Sequence, residues 1–119
     1  MGHEDRNERI RAKMLDEIKD IEAFIAGRPA ENLFSDKMCQ KAIVMSLINI
    51  GELSKSFTDS YLASMPEIPW KAIRGFRNIA AHQYGAIDFE DVLKTVTEDI
   101  PLLKAALVRT ASICHPMTS

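Results

Sequence analysis

The segment Trp70-Lys-Ala-Ile-Arg-Gly-Phe-Arg-Asn-Ile-Ala-Ala-His-Gln-Tyr84 holds the side chains best suited to chemistry in this 119-residue chain. No acidic residue lies between Glu67 and Asp88, although 17 Asp and Glu outnumber 15 Lys and Arg overall. Lys71, Arg74 and Arg77 recur at steps of three, which spreads them over about 120° of a helix surface. His82 and Tyr84 follow at the exit of the same helix. Cations, an imidazole that titrates near neutral pH and a phenol are thus concentrated in one stretch, a combination suited to a phosphate-bearing partner.

The spacing constrains what these groups can do together. Asn78 and His82 are four apart and share a helix face, so the amide can hydrogen-bond and orient the imidazole. Arg77 and His82, five apart, stand about 140° from each other on an ideal helix. They converge if the helix ends near Ala81 and the chain turns, or if two copies face each other across an interface. A structural reading stands beside the chemical one. Trp70, Ile73, Phe76, Ile79 and Ala80 recur at helical spacing, which makes most of this helix core. Arg77 then serves as a surface ion-pair partner, His82 as a cation favoured at a helix C-terminus, and Tyr84 as a packed ring. Spacing alone leaves both readings open.

The elements that would position these groups are helical. Ile10, Met14, Ile18, Ile21 and Ile25 form one apolar stripe, ended by Gly27-Arg28-Pro29. A second helix is predicted from Ser35 or Asp36, a good N-cap type, to about Phe57. It is apolar on more than one face, as expected of a helix packed against two neighbours or another subunit, and Gly51 suggests close helix approach. Thr58 to Pro69 reads as a connector with one helical turn around Tyr61 to Met65. Pro69 opens a third helix from Trp70 to about Ala81, followed by a loop over Gln83 to Ile87. Asp88 caps a fourth, with Asp91 placed as in a capping box, and Phe89, Leu93, Val96, Ile100, Leu103 and Leu107 follow in a heptad-like seam. Pro101 predicts a kink or restart there, with Asp99 as its cap. Nothing reads as a strand. The expected fold is all-α, an up-and-down four-helix bundle forming a single domain over residues 1–119.

Composition excludes several classes. At 46% hydrophobic and net charge −2 the chain is not of disordered type, and its two cysteines build neither a disulfide framework nor a zinc spacing. The longest apolar stretch, Ala42 to Ile50, is far short of a membrane span, and the N-terminus has no apolar signal-peptide region. The expectation is a cytoplasmic protein with no membrane association, no metal and no cofactor. A sequence pI near 5.9 gives no hint of nucleic acid, so any such partner must be read from the local basic window.

The run Arg77-Asn-Ile-Ala-Ala-His82-Gln-Tyr84 fits the Arg-x4-His-x-Tyr motif of HEPN domains and resembles their HepT-like toxin branch. The flanking pairs agree: Pro69-Trp70, then Arg77-Asn78, then His82-Gln83-Tyr84. Ile48-Asn-Ile-Gly-Glu52 and Asp99-Ile-Pro-Leu-Leu103 also look like that branch, so the resemblance covers nearly the whole chain.

That resemblance implies a homodimeric, metal-independent endoribonuclease, the toxin of a toxin–antitoxin pair, with the motifs of two protomers meeting in one composite site. A partner nucleotidyltransferase of the MNT type would restrain it by transferring AMP onto Tyr84. In this reading Arg77 binds the RNA phosphodiester and stabilises charge on its oxygens, while His82 moves protons. Asn78 orients the imidazole, and Tyr84 hydrogen-bonds phosphate or ribose. Lys71 and Arg74 are placed as phosphate-binding groups. Glu52 is a candidate for orienting Arg74 or Arg77, set against a plain solvent-facing role. Cys39 and Cys114 read as small apolar packing groups, the six methionines as core or interface filler, and His3 and His115 as uninvolved. The competing class is a non-catalytic helical module that binds a nucleotidyltransferase or a nucleotide.

Overall fold

The computed structural model describes residues 3–76 and 88–114. Arg77, Asn78, His82 and Tyr84 lie outside the described residues. The described part is helical, with no strand among the described residues.

Helix α1, His3–Ile25, buries the predicted stripe, with Met14 0% and Ile18 and Ile21 1% exposed, and Ile10 and Ile25 packed at its two ends. Gly27 ends it at φ +68°, a left-handed conformation with no penalty only for glycine. A short helix that the sequence reading did not anticipate, α2 over Ala30–Ser35, fills the bend, and Gln40 Nε2 donates to the carbonyls of both Leu33 and Phe34 at 2.8 Å.

Helix α3, Lys37–Ser54, starts as expected at Asp36, whose carboxylate accepts the Cys39 N–H at 3.0 Å. That bond first, and then the Arg28 guanidinium at 2.8 Å, hold the Asp36 carboxyl below its ordinary range. The cap is therefore strongest above the carboxyl's unfolded value and is lost as pH falls through the lowered folded one. Ile43, Val44, Leu47 and Ile50 form the centre of the core against α1. Gly51 is buried and its carbonyl accepts from the buried Ser54 hydroxyl at 2.7 Å. Cys39 is buried, as its small apolar reading requires. A Leu47→Ala variant should lose about 2–5 kcal/mol of unfolding free energy in denaturant titration, because the vacated volume cannot fully collapse in so packed a centre.

The connector is tied down at both ends. The buried Asn7 side chain donates to Thr58 Oγ1 at 3.0 Å and accepts the Thr58 N–H at 3.1 Å. Thr58 in turn caps α4, Asp59–Ala63, which begins two residues earlier than the predicted turn. Inside, the Tyr61 hydroxyl meets Thr110 Oγ1 at 2.7 Å, joining the connector to the far end of the last long helix.

Helix α5 is described over Trp70–Gly75, and Pro69 stands just before it as cap residue rather than as its first residue. After the undescribed stretch, Asp88 caps α6, Phe89–Lys94, by accepting the Glu90 N–H at 2.9 Å. A π-helical turn over Thr95–Asp99 leads without interruption into α7, Ile100–Arg109, and α8, Ala111–Cys114, follows. The expected break in regular hydrogen bonding therefore lies just before Pro101. Asp99 does not cap it, since it has helical dihedrals and makes no side-chain cap bond. A helix that continues through Asp99 has no free N-terminus there for a carboxylate to satisfy. Helices α7 and α8 pack back on α1, and α5 packs on α3. Ion pairs Lys104–Glu22 and Arg109–Glu67 span the outside, where such pairs contribute little.

Candidate functional site

The start of α5 is fixed by aromatic packing. Trp70 is buried and its ring meets Phe57 edge-on at 6.0 Å, while Phe57 leans on Tyr61 at 4.8 Å. Ile73, 1% exposed, completes the inward face three residues on. The Trp70 indole N–H is buried with no acceptor among the described residues, and the ring's packing area is what the described residues supply to hold it. With Trp70 and Ile73 turned inward, helical spacing sends Lys71 and Arg74 outward, and both are exposed.

Neither Lys71 nor Arg74 makes an ion pair among the described residues. The sequence reading placed these two as phosphate-binding groups, and their exposure on the helix that leads into the Arg77–Tyr84 motif is compatible with that role.

Glu52 is placed differently from one of its expectations. It is exposed near the end of α3 and pairs with Lys55 at 3.6 Å rather than with Arg74. Its neighbours around an open groove are Lys13, Asp16, Glu17, Asn49 and Leu53, and Asn49 donates to Glu17 at 3.2 Å. Three carboxylates in one groove disfavour an RNA phosphate there. The second candidate partner of Glu52, Arg77, lies outside the described residues, as do Asn78, His82 and Tyr84.

Besides α2, two features are not legible in the sequence. One is the ring contact between Phe34 on α2 and Phe89 on α6, centroids 5.5 Å apart and nearly perpendicular. The other is the π turn over Thr95–Asp99. Its signal in the sequence was Pro101 preceded by Thr95 and Thr97, whose hydroxyls can bond carbonyls of the preceding turn.

The family model described as Ribonuclease HepT-like matches residues 14–110, a span that includes every candidate site residue. An inferred ribonuclease HepT of Thermococcus cleftensis is 38% identical over 87 residues, 73% of this chain and 79% of its own length. An inferred RNase of Methanocaldococcus jannaschii is 32% identical over 91 residues, covering 76% of this chain and 84% of that protein. A second inferred RNase of that organism is 31% identical over 88 residues, 74% and 73% of the two chains. No solved structure matches the chain significantly. The chain belongs to the HepT-like ribonuclease family. No helix among the described residues is long and apolar enough to cross a membrane.

Proposed function

We propose that the chain is the toxin of a toxin–antitoxin pair, a homodimeric endoribonuclease that cleaves RNA without a metal. The observation that carries this reading is the family match over residues 14–110, because the Arg77–Tyr84 motif lies inside it intact. RNA contains its own nucleophile. The 2′-hydroxyl oxygen attacks phosphorus as its proton passes to an imidazole, the bond to the 5′ oxygen breaks, and that oxygen takes up a proton. The products are a 2′,3′-cyclic phosphate and a 5′-hydroxyl. His82 supplies the imidazole, and a composite site has two of them, one to accept and one to donate. Arg77 holds the phosphodiester through its fork and offsets the charge that builds on the non-bridging oxygens. Asn78 orients His82, Tyr84 contacts phosphate or ribose, and Lys71 and Arg74 draw the flanking backbone in. Glu52 enters this scheme only through Arg77.

Dimerisation is supported by the outer side of α3. Met38 and Met45, seven residues apart and so within about 20° on the helix, are 84% and 56% exposed. Large apolar side chains in such a row favour a covered surface. A second protomer there also accounts for a helix that is apolar on two sides, and it brings two copies of the basic window into one assembly.

Neutralisation follows from the same electrostatics. AMP transferred to Tyr84 by a partner nucleotidyltransferase adds bulk and a negative charge beside the phosphate site, which repels RNA. The test is growth of cells expressing the chain alone or together with a small nucleotidyltransferase of the MNT type. Growth arrest with RNA fragments ending in cyclic phosphate, relieved by the transferase with one AMP added at Tyr84, is the expected result. Normal growth and intact RNA in a chelator-containing assay of the purified chain would overturn the enzyme reading and favour a binding module.

A further inference from the structure

The outer face of α3 carries a pattern that packing on α1 and α5 does not use. Met38, Lys41, Met45, Ile48 and Glu52 recur at steps of three and four, the spacing of a helix-pairing seam. They lie within about 80° of the helix surface. Met38, Lys41, Met45 and Glu52 are exposed, and Ile48 is half-buried at the edge of the strip.

Charge is unevenly spread along this strip. Its N-terminal end holds Lys37 and Lys41, both exposed and neither in an ion pair among the described residues. Its C-terminal end holds Glu52, which shares an open groove with Asp16 and Glu17 of α1, and Lys13 and Lys55 offset part of that negative charge. The Glu52–Lys55 contact spans 3.6 Å between side chains that are 54% and 42% exposed. Such a pair contributes little, so Glu52 can exchange it at small cost.

The strip is therefore positive at one end, apolar in the middle and negative at the other. A surface of this kind complements itself when turned end for end. Two copies aligned in the same direction would instead set lysine on lysine and glutamate on glutamate. The helix dipoles give the same preference, since antiparallel helices bring each positive terminus toward a negative one.

We infer that α3 pairs antiparallel with α3 of a second copy, about a two-fold axis between Ser46 and Leu47, setting Lys41 of each protomer on Glu52 of the partner subunit. One axis serves the whole seam. Lys41 and Glu52 stand at equal distances on either side of it, about 8 Å along the helix, and Met45 and Ile48 at about 2 Å. Met45 and Ile48 of both copies then meet at the centre. Met38 and Lys55 are also equidistant from the axis, so the thioether lies along the aliphatic stem of Lys55 of the partner subunit. Two-fold symmetry makes each of these contacts twice. Glu52 thereby acquires a cationic partner outside the motif. This pairing rests on the homodimer proposed above and adds its polarity and register.

Sedimentation of the full chain tests the seam by comparing the parent with Lys41→Glu, with Glu52→Lys and with both together. Each single substitution sets two like-charge pairs across the seam and should raise the dimer Kd by about tenfold or more. The double exchange restores opposite charges and should return Kd to within a few-fold of the parent. An equimolar mixture of the two single variants should also dimerise at near-parent Kd, because each supplies the charge the other lacks. That mixture shows in addition that both single variants keep their fold. Single variants with unchanged Kd, or a double exchange no tighter than the singles, would overturn the register and leave the homodimer standing. A parent chain that sediments as a monomer throughout removes the homodimer and the seam together. Parent dimers that respond to the exchange as expected but cleave no RNA leave the seam in place and remove the ribonuclease reading.

Discussion

His82→Ala is expected to lose RNA cleavage by about 10²–10⁴-fold, the range that a positioned general acid or base contributes. The reason lies in the substrate. A 2′-hydroxyl is a poor nucleophile until its proton is taken, and no other imidazole lies in the motif segment: the chain's three histidines are His3, His82 and His115. Cleavage measured at neutral pH should fall by that factor for the variant. Cells expressing it without a nucleotidyltransferase should grow normally. Arg77→Lys separates the second role, because it keeps the charge and loses the planar fork that binds a phosphodiester through two parallel bonds. Unchanged toxicity in His82→Ala would remove the ribonuclease mechanism.

In the proposed α3-mediated dimer, Met45→Glu should give a monomer and abolish cleavage while leaving the helical fold intact. Met45 is 56% exposed, so a carboxylate there remains solvated in an isolated protomer. Across a dimer seam it would face its own copy, and two like charges held at close range in a desolvated contact cost several kcal/mol. Sedimentation gives the mass, circular dichroism the helix content, and the RNA assay the activity. A monomer that still cleaves at the parent rate would show that one protomer holds a whole site. The exposed Leu102 and Val108 on α7 offer a control, since charged residues there should leave an α3-mediated dimer in place.

Much of the fold was legible because helix periodicity is a local property. The stripe Ile10, Met14, Ile18, Ile21 needed only 3.6-residue spacing, and Asp36 and Asp88 cap helices through side chains whose partners lie two or three residues away. Helix α2 escaped because six residues carry too little periodicity to read. Glu52 illustrates a different limit. Its place on an apolar stretch leaves open a buried carboxylate seeking an arginine and a plain solvent-facing role, and the second holds: it is exposed and beside Lys55. Which side of α3 faces water depends on how α1 and α5 pack against it, and no spacing within one helix states that.

Helical periodicity, a basic window inside an acidic total and an Arg-x4-His-x-Tyr motif within a HepT-like ribonuclease family member are all readable along the chain. The phase of α6 is set by packing. The seam Phe89, Leu93, Val96 is the right reading for an α-helix, and it fails upstream because a single π turn adds one residue and rotates everything before it. Proline announces that a donor is missing. Whether the helix answers by bending, restarting or widening depends on which arrangement lets both flanks keep their apolar faces on the core, a choice made by packing and not by the local chain.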